Sequence, residues 1–174
     1  FNLKNTEKLL NLNRNIALDA NASFTKEDCL FIQETSGFQK LMYIEQPLEI
    51  GNFGILKNGN SVNWMADEDC QDITFLEKLK PYYSSINIKL MKCGGLTPAL
   101  EMITEAKKLG YKIMLGCMTE SSIGISAGCA IAGLLDFADL DGANLISNDY
   151  ATGSFVDNGK IILSEKPGLG IALL

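Results

Sequence analysis

The sequence predicts an α/β fold: a partial (β/α)8 barrel of the TIM type, with about six of the eight strand–helix units of such a barrel present. Two observations carry this. Four charged residues each sit at the end of a short apolar run: Asp19 after Ile16-Ala17-Leu18, Glu45 after Met42-Tyr43-Ile44, Asp67 after Trp64-Met65-Ala66, and Lys89 after Ile86-Asn87-Ile88. Their spacings of 26, 22 and 22 residues each fit one strand, one helix and two short loops. Parallel barrels place their chemistry at the C-terminal ends of such strands. Three carboxylates gathered at one mouth resist ionising together unless a cation sits among them, so the pattern predicts a hard metal ion facing a lysine.

The elements follow in order. Strands are expected near 14–19, 42–46, 62–67, 86–91, 112–117 and 136–140, mostly apolar and bounded by polar or glycine-bearing segments. Helices fit between them near 25–40, 51–58, 71–80, 97–109 and 121–134. The first opens on Thr25 with Asp28 three residues on, a variant of the capping box. The fourth has Thr97 as N-cap, Pro98 at the first helical position, Gly110 after the last turn, and an apolar stripe of Leu96, Leu100 and Ile103. Beyond residue 150, Ser154 to Leu163 reads as a hairpin around Asn158-Gly159, followed by a loop-like Pro167-Gly168-Leu169-Gly170 tail. The expected organisation is a barrel portion over 1–150 and a distinct C-terminal segment over 151–174.

Six units do not close an eight-stranded barrel, and an open barrel leaves two edges exposed. The chain also begins inside a polar helical stretch, Lys4 to Asn15. The expectation is the C-terminal part of a larger polypeptide, whose remaining N-terminal portion carries two further strands and is this chain's partner.

Composition narrows the function classes. A net charge of −6 without a Lys/Arg cluster argues against nucleic-acid binding. The longest apolar stretch, Ile123 to Leu135, is too short and too interrupted to cross a bilayer, and no secretory signal is read at the start. Five cysteines without Cys-x-x-Cys spacing read as reduced, buried thiols of a cytoplasmic protein. Histidine is absent, which removes Ser-His-Asp and Cys-His nucleophile systems and histidine-ligated zinc. Any general base is therefore a lysine, carboxylate, tyrosine or thiolate.

Residues two apart on a strand share a face, so Asn21 goes with Asp19, Tyr43 with Glu45, Met65 with Asp67 and Asn87 with Lys89. The three carboxylates, with no nitrogen or sulfur ligand, suit Mg2+. Any one of them alone could equally be a loop residue or a helix cap; four in register on the interior parity favour a site. Lys92 has the wrong parity and reads as structural. Glu68 and Asp69 either cap the following helix or, for Glu68, orient Lys89. Glu120, in Met118-Thr119-Glu120-Ser121, is either a helix-terminal acid or part of the site. Asp139 and Asp141, in Asp139-Leu140-Asp141-Gly142, share a face and are either a turn-forming pair or a receptor for a substrate cation such as an ammonium.

The segments Leu18-Asp19-Ala20-Asn21, Ile44-Glu45-Gln46-Pro47-Leu48-Glu49, Met65-Ala66-Asp67-Glu68, Ile88-Lys89-Leu90-Met91-Lys92-Cys93-Gly94-Gly95 and Asp139-Leu140-Asp141-Gly142 together resemble the enolase superfamily in its muconate-lactonizing branch. The resemblance spans nearly the whole chain in the family's order. It implies that Asp19, Glu45 and Asp67 bind Mg2+, that Lys89 is an acid/base, and that the full fold adds an α+β capping domain, which this chain lacks. With Gly116-Cys117-Met118-Thr119-Glu120-Ser121 and the Asp139/Asp141 pair, the chain is most similar to the dipeptide epimerases of the L-Ala-D/L-Glu type. There the paired acids hold the dipeptide's ammonium group, and Met118 and Glu120 fall among the substrate-binding positions. The family's second lysine would precede Phe1, so the chain alone is expected to be catalytically incomplete.

The function this implies is Mg2+-dependent epimerisation of a small dipeptide, by abstraction of the proton α to a carboxylate through an enediolate. Lys89 serves one face and Asn21 and Glu68 stand behind the ligands. Rival readings are another activity of the branch (o-succinylbenzoate synthase or muconate cycloisomerase), a Schiff-base aldolase using Lys89, and a non-catalytic fragment or binding module. A homo-oligomer is a possible assembly.

Overall fold

Short apolar runs ending in charge become short parallel strands, because each run is only long enough for a few ladder hydrogen bonds before the polar residue turns the chain outward. In the computed structural model, which describes residues 3–11, 15–59 and 62–174, these strands are β1 (Leu18–Asp19), β2 (Ile44–Glu45), β3 (Trp64–Ala66), β4 (Ser85–Lys89), β5 (Lys112–Gly116) and β6 (Phe137–Ala138). They stand in one sheet in sequence order. The pairings β1–β2, β2–β3, β3–β4 and β5–β6 are parallel, as a partial (β/α)8 barrel requires. The helices are α1 (Leu3–Leu10), α2 (Lys26–Glu34), α3 (Leu76–Leu79), α4 (Leu90–Cys93), α5 (Leu96–Lys108) and α6 (Ser122–Cys129). Four more short strands follow: β7 (Ala151–Thr152), β8 (Phe155–Asp157), β9 (Lys160–Ile162) and β10 (Ala172–Leu173).

The chain divides into two compact units, Phe1–Ile86 with Lys108–Tyr111, and Asn87–Lys107 with Lys112–Leu174. The core of the first is Trp64, Ile44, Met65, Ile32, Phe38, Leu56, Leu76, Leu79 and Tyr83, all nearly inaccessible to solvent. Each such side chain is worth roughly 1.5–3 kcal/mol of burial. Phe53 packs against Tyr82 and Tyr83 with ring centroids 5.0 and 6.0 Å apart. Tyr111 donates to the Leu76 carbonyl at 2.7 Å, with Lys80 Nζ 4.3 Å above its ring. The second unit buries Ile113, Met114 and Leu115 of β5 with Ala99, Met102, Ile103 and Ala106 of α5 and Ile125 of α6.

Several expected elements are shorter than the sequence suggested. The strand expected from 14 starts at Leu18; Arg14, like Leu12 and Asn13 of the expected polar helical stretch, lies outside the described residues. The helix expected over 25–40 stops at Glu34, because Ser36-Gly37 follows and Gly37 takes φ +118°; only a 3-10 turn, Phe38–Lys40, comes after it. Its capping box is as expected: Thr25 Oγ1 accepts the Asp28 N–H at 3.1 Å, and Asp28 accepts the Thr25 N–H at 2.9 Å. The region 51–58 forms one 3-10 turn, Phe53–Ile55, in a stretch carrying Gly51, Gly54 and Gly59. The region 71–80 is a 3-10 turn, Ile73–Phe75, capped by Asp72 and continued as α3. The strand expected to 91 ends at Lys89, where α4 begins and is closed by Gly94 in the left-handed region. The helix expected over 121–134 ends at Cys129, with a 3-10 turn at Ala132–Leu134.

Helix α5 corrects two expectations. It begins at Leu96, with the Ala99 N–H donating to the Gly95 carbonyl at 3.1 Å, so Thr97 lies inside it and is not the cap. Its buried face is Ala99, Met102, Ile103 and Ala106, while Leu100 is exposed. Small alanines let the helix sit close to its neighbours, and the larger Leu100 is turned to solvent. The hairpin forms as read: β8 and β9 pair antiparallel about Asn158 and Gly159, both at positive φ, the signature of a type I′ turn. All five cysteines are free thiols; Cys29, Cys70 and Cys129 are buried, but Cys93 and Cys117 are half-buried.

Candidate active-site residues at the strand ends

In the first unit the ladder register decides which acids are neighbours. Asp19 of β1 pairs directly with Glu45 of β2, and Glu45 pairs with Met65 of β3. Paired residues in a parallel sheet point to one face, so Asp19 and Glu45 stand side by side, and Asp67 follows two residues past Met65. Glu45 and Asp67 are buried, with relative exposures of 6% and 5%; Asp19 is exposed. Carboxylates are rarely buried to this degree without compensation, which marks these positions as special.

The chain turns sharply just after two of these acids. Asn21 and Ala22 take φ +43° and +60°, and Gln46 takes φ +32°. Left-handed backbone costs a non-glycine residue about 1–2 kcal/mol, so surrounding bonds must hold it. They do. The Asn21 N–H donates to Asp19 Oδ1 at 2.8 Å. The Ala22 N–H donates to the Gln46 carbonyl at 2.7 Å. The Gln46 side chain is fully buried; its Oε1 accepts the N–H groups of Asp67 and Asp69 at 3.1 and 3.2 Å.

Asp69 is not the helix cap it resembled. It is buried and accepts from Gln46 Nε2 at 3.0 Å, the Gly51 N–H at 2.7 Å and the Tyr83 hydroxyl at 2.8 Å. Burial, reinforced by the Asp69 charge and its hydrogen bond, pushes the Tyr83 phenol far above its ordinary range. The cap of the next turn is Asp72. Glu68 differs again. One of its carboxylate oxygens is buried with no hydrogen-bond partner among the described residues, a group that a cation would satisfy.

Among the described residues, no three His, Cys, Asp or Glu side chains converge as a metal-ligating cluster. The donor chemistry still fits a hard divalent ion: three carboxylates on successive strand ends, two of them buried, with the unsatisfied Glu68 oxygen beside Asp67 in sequence.

In the second unit Lys89 ends β4 and is half-buried. Asn87, on the same strand face, accepts the Gly116 N–H at 2.8 Å through its side-chain carbonyl. Lys92 donates to the Asn87 backbone carbonyl at 3.0 Å, the structural part its parity suggested. Strand β6 stops at Ala138, and Asp141 heads a 3-10 turn over Gly142–Leu145, so strand alternation does not run from Asp139 to Asp141. Both aspartates are exposed. Next to Asp141, the Cys117 thiol accepts the Gly142 N–H at 3.3 Å. Burial pushes that thiol up to about 11, and the charges of Asp139, Glu120 and Asp141 add to the shift against the Gly142 bond.

Thus the charges of Glu120, Asp139 and Asp141 all act on one thiol. Glu120 accepts the Met118 N–H at 3.0 Å and fills the space where Gly124 has no Cβ; Met118 itself is exposed. The N-terminus of α6 is served by Asp149, which accepts from the Ser122 N–H and hydroxyl, both at 2.7 Å, and is held below the usual carboxylate range by those bonds.

Comparison with known proteins places this pattern. Residues 6–174 match the family model described as "Enolase C-terminal domain-like". The chain belongs to this family. Among its relatives it is 39% identical over 160 residues to an L-Ala-D/L-amino acid epimerase of Maribacter sp., covering 90% of this chain and 48% of that protein. It is 39% identical over 160 residues to an L-Ala-D/L-Glu epimerase of Bacteroides thetaiotaomicron, covering 90% of this chain and 42% of that protein. The crystal structure of a dipeptide epimerase from Methylococcus capsulatus complexed with Mg and the dipeptide L-Arg-D-Lys matches 97% of this chain and 51% of its own, with TM-score 0.84 and 31% identity. The chain spans about half the length of the curated relatives it matches.

The residues that sequence reasoning missed in this enolase-family chain are Gln46, Asp69 as a buried hub, and Cys117. Only the Asp67-Glu68-Asp69 acid run hinted at one of them, without saying which acid would be buried.

Proposed function

We propose that the protein to which this chain belongs is a dipeptide epimerase that inverts a carbon α to a carboxylate. The observation that carries the reading is the register that sets Asp19 beside Glu45, with Asp67 two residues past Glu45's partner on β3. The similarity to epimerases on both sequence and structure supports it. In this reading Asp19, Glu45 and Asp67 hold Mg2+. The ion, when bound, supplies positive charge against the negative charge that grows on the substrate carboxylate.

The remaining steps belong to the chain's own groups. Lys89 removes or returns the α-proton on one face through its ε-amine, which must be neutral to act as base. Asp139 and Asp141 hold the dipeptide ammonium by charge-assisted hydrogen bonds, with Met118 and Glu120 beside it. Asn21 steadies the Asp19 loop, and Glu68 stands with it behind the ligands. Loss of the α-proton leaves the enediolate of the substrate, and reprotonation from the other face inverts the centre. We assign residues 1–150 to the barrel part and 151–174 to a separate terminal segment. Among the described residues no helix is long and apolar enough to cross a membrane, and we propose a cytoplasmic site of action.

The test is proton NMR of L-Ala-L-Glu and a small dipeptide panel in D2O with Mg2+, on the intact natural polypeptide. Loss of an α-proton signal with appearance of the diastereomer is expected. Lys89→Ala should abolish epimerisation in both directions, since each needs a proton taken on one face and returned on the other, while α-proton exchange from the opposite face persists. Asp139→Asn should raise the dipeptide KM. Unaltered rates in Lys89→Ala, or silence across the panel with Mg2+ bound, would overturn the reading.

A further inference from the structure

Gln46 ties together the ends of β1, β2 and β3. It directly follows Glu45 and stands in left-handed backbone at φ +32°. Its N–H donates to the Met65 carbonyl at 2.9 Å, and its own carbonyl accepts the Ala22 N–H of the loop after Asp19 at 2.7 Å. The side chain then reaches β3. Oε1 accepts the N–H groups of Asp67 and Asp69, while Nε2 donates to the Leu48 carbonyl at 2.8 Å and to the Asp69 carboxylate at 3.0 Å. Both lone pairs and both protons of this buried amide are used, so its rotamer and its flip are fixed.

We propose that Gln46 is a positioning residue that sets the spacing of the three acid-bearing strand ends, and so the affinity of their site for a divalent cation. The proposal rests on the reading of Asp19, Glu45 and Asp67 as ligands. Only a carboxamide fits the role. A carboxylate would meet the Asp69 charge where Nε2 now donates, and an apolar side chain would orphan the Asp67 and Asp69 N–H groups. Coupling must also run both ways, so a bound cation should hold those two N–H groups more firmly closed.

The test uses the intact natural polypeptide, with Mn2+ as the probe and free Mn2+ counted by EPR. Gln46→Met, similar in size but without hydrogen bonds, should bind Mn2+ at least tenfold more weakly while keeping its near-ultraviolet circular dichroism. Tyr83→Phe is the stability control: it loses a bond to the same Asp69 carboxylate without touching a strand end, and should lower Tm with Mn2+ affinity unchanged. Amide exchange of the unaltered protein needs no variant, and protection of the Asp67 and Asp69 N–H groups should rise about tenfold on adding Mg2+. Equal Mn2+ affinity in Gln46→Met, equal weakening in both variants, or unchanged protection of those amides overturns the positioning role. If the unaltered protein binds no Mn2+, the ligand reading itself fails and the proposal falls with it.

Discussion

The side chain of Asn87 lies directly against Gly116: its carbonyl accepts the Gly116 N–H at 2.8 Å, and a Cβ on Gly116 would stand 2.7 Å from both terminal atoms of the carboxamide. Only a residue without a side chain allows this contact, which buries the polar group of the residue two before Lys89. Gly116→Ala should therefore push Asn87 off its bond and cost about 1–3 kcal/mol. Urea unfolding followed by circular dichroism measures it; a loss under about 0.5 kcal/mol would show that the carboxamide moves aside freely.

Tyr83 and Asp69 make a second buried contact with a pH signature. The folded phenol titrates far above the unfolded value because burial and the Asp69 charge disfavour the phenolate. A raised folded pKa means its stabilisation is complete below about pH 10 and is lost as pH rises beyond that. Tyr83→Phe should cost about 1–2 kcal/mol at neutral pH. It should also make stability fall less steeply between pH 10 and 11, on the order of one proton less released per unfolding event. Identical alkaline slopes for the two proteins would count against the assignment.

The grouping of Glu120, Asp139 and Asp141 around Cys117 can be read from thiol chemistry. Their charges disfavour the thiolate, so Asp139→Asn with Asp141→Asn should lower the pKa of a thiol now pushed up to about 11. Half a pKa unit would raise the iodoacetamide rate at pH 9 about threefold. Peptide mass spectrometry separates Cys117 from the other four cysteines. An unchanged rate would place the aspartates out of electrostatic reach.

The capping box of α2 should show in acid. The Thr25 backbone and side chain hold Asp28 below its ordinary pKa, so its contribution is present above about pH 4 and fades as pH falls further. Thr25→Ala should cost about 1 kcal/mol at pH 7. The gap between Asp28→Asn and the unaltered protein should narrow towards pH 2, when measured by thermal unfolding; a gap constant with pH would mean the carboxylate charge contributes nothing.

Much of the chain is legible because its signals are short-range. Ile44-Glu45 and Ala66-Asp67 announce strand ends through an abrupt change from apolar to charged, and Thr25-x-x-Asp28 and Asn158-Gly159 specify a cap and a turn from their own side chains and backbone freedom. The face of α5 is ambiguous in sequence because Leu100 and Ala99 are both acceptable to either side of a helix. Packing chose the smaller residue for the interior. Asp69 is hidden in its sequence because three successive acids look alike until one is enclosed.

The sequence by itself determined the order of strand–helix units, the charged strand ends and their parity, and the hairpin, since each depends on residues a few positions apart. Tertiary structure alone decided that Gln46 would be buried and that Asp69, 23 residues away, would receive its amide. It also decided that no continuous strand would run from Asp139 to Asp141, and that the charges of both would act on the Cys117 thiol. The reason is physical: propensity and alternation act along the chain, whereas the partner of a buried polar group is whatever donor or acceptor the folded strands bring within about 3 Å.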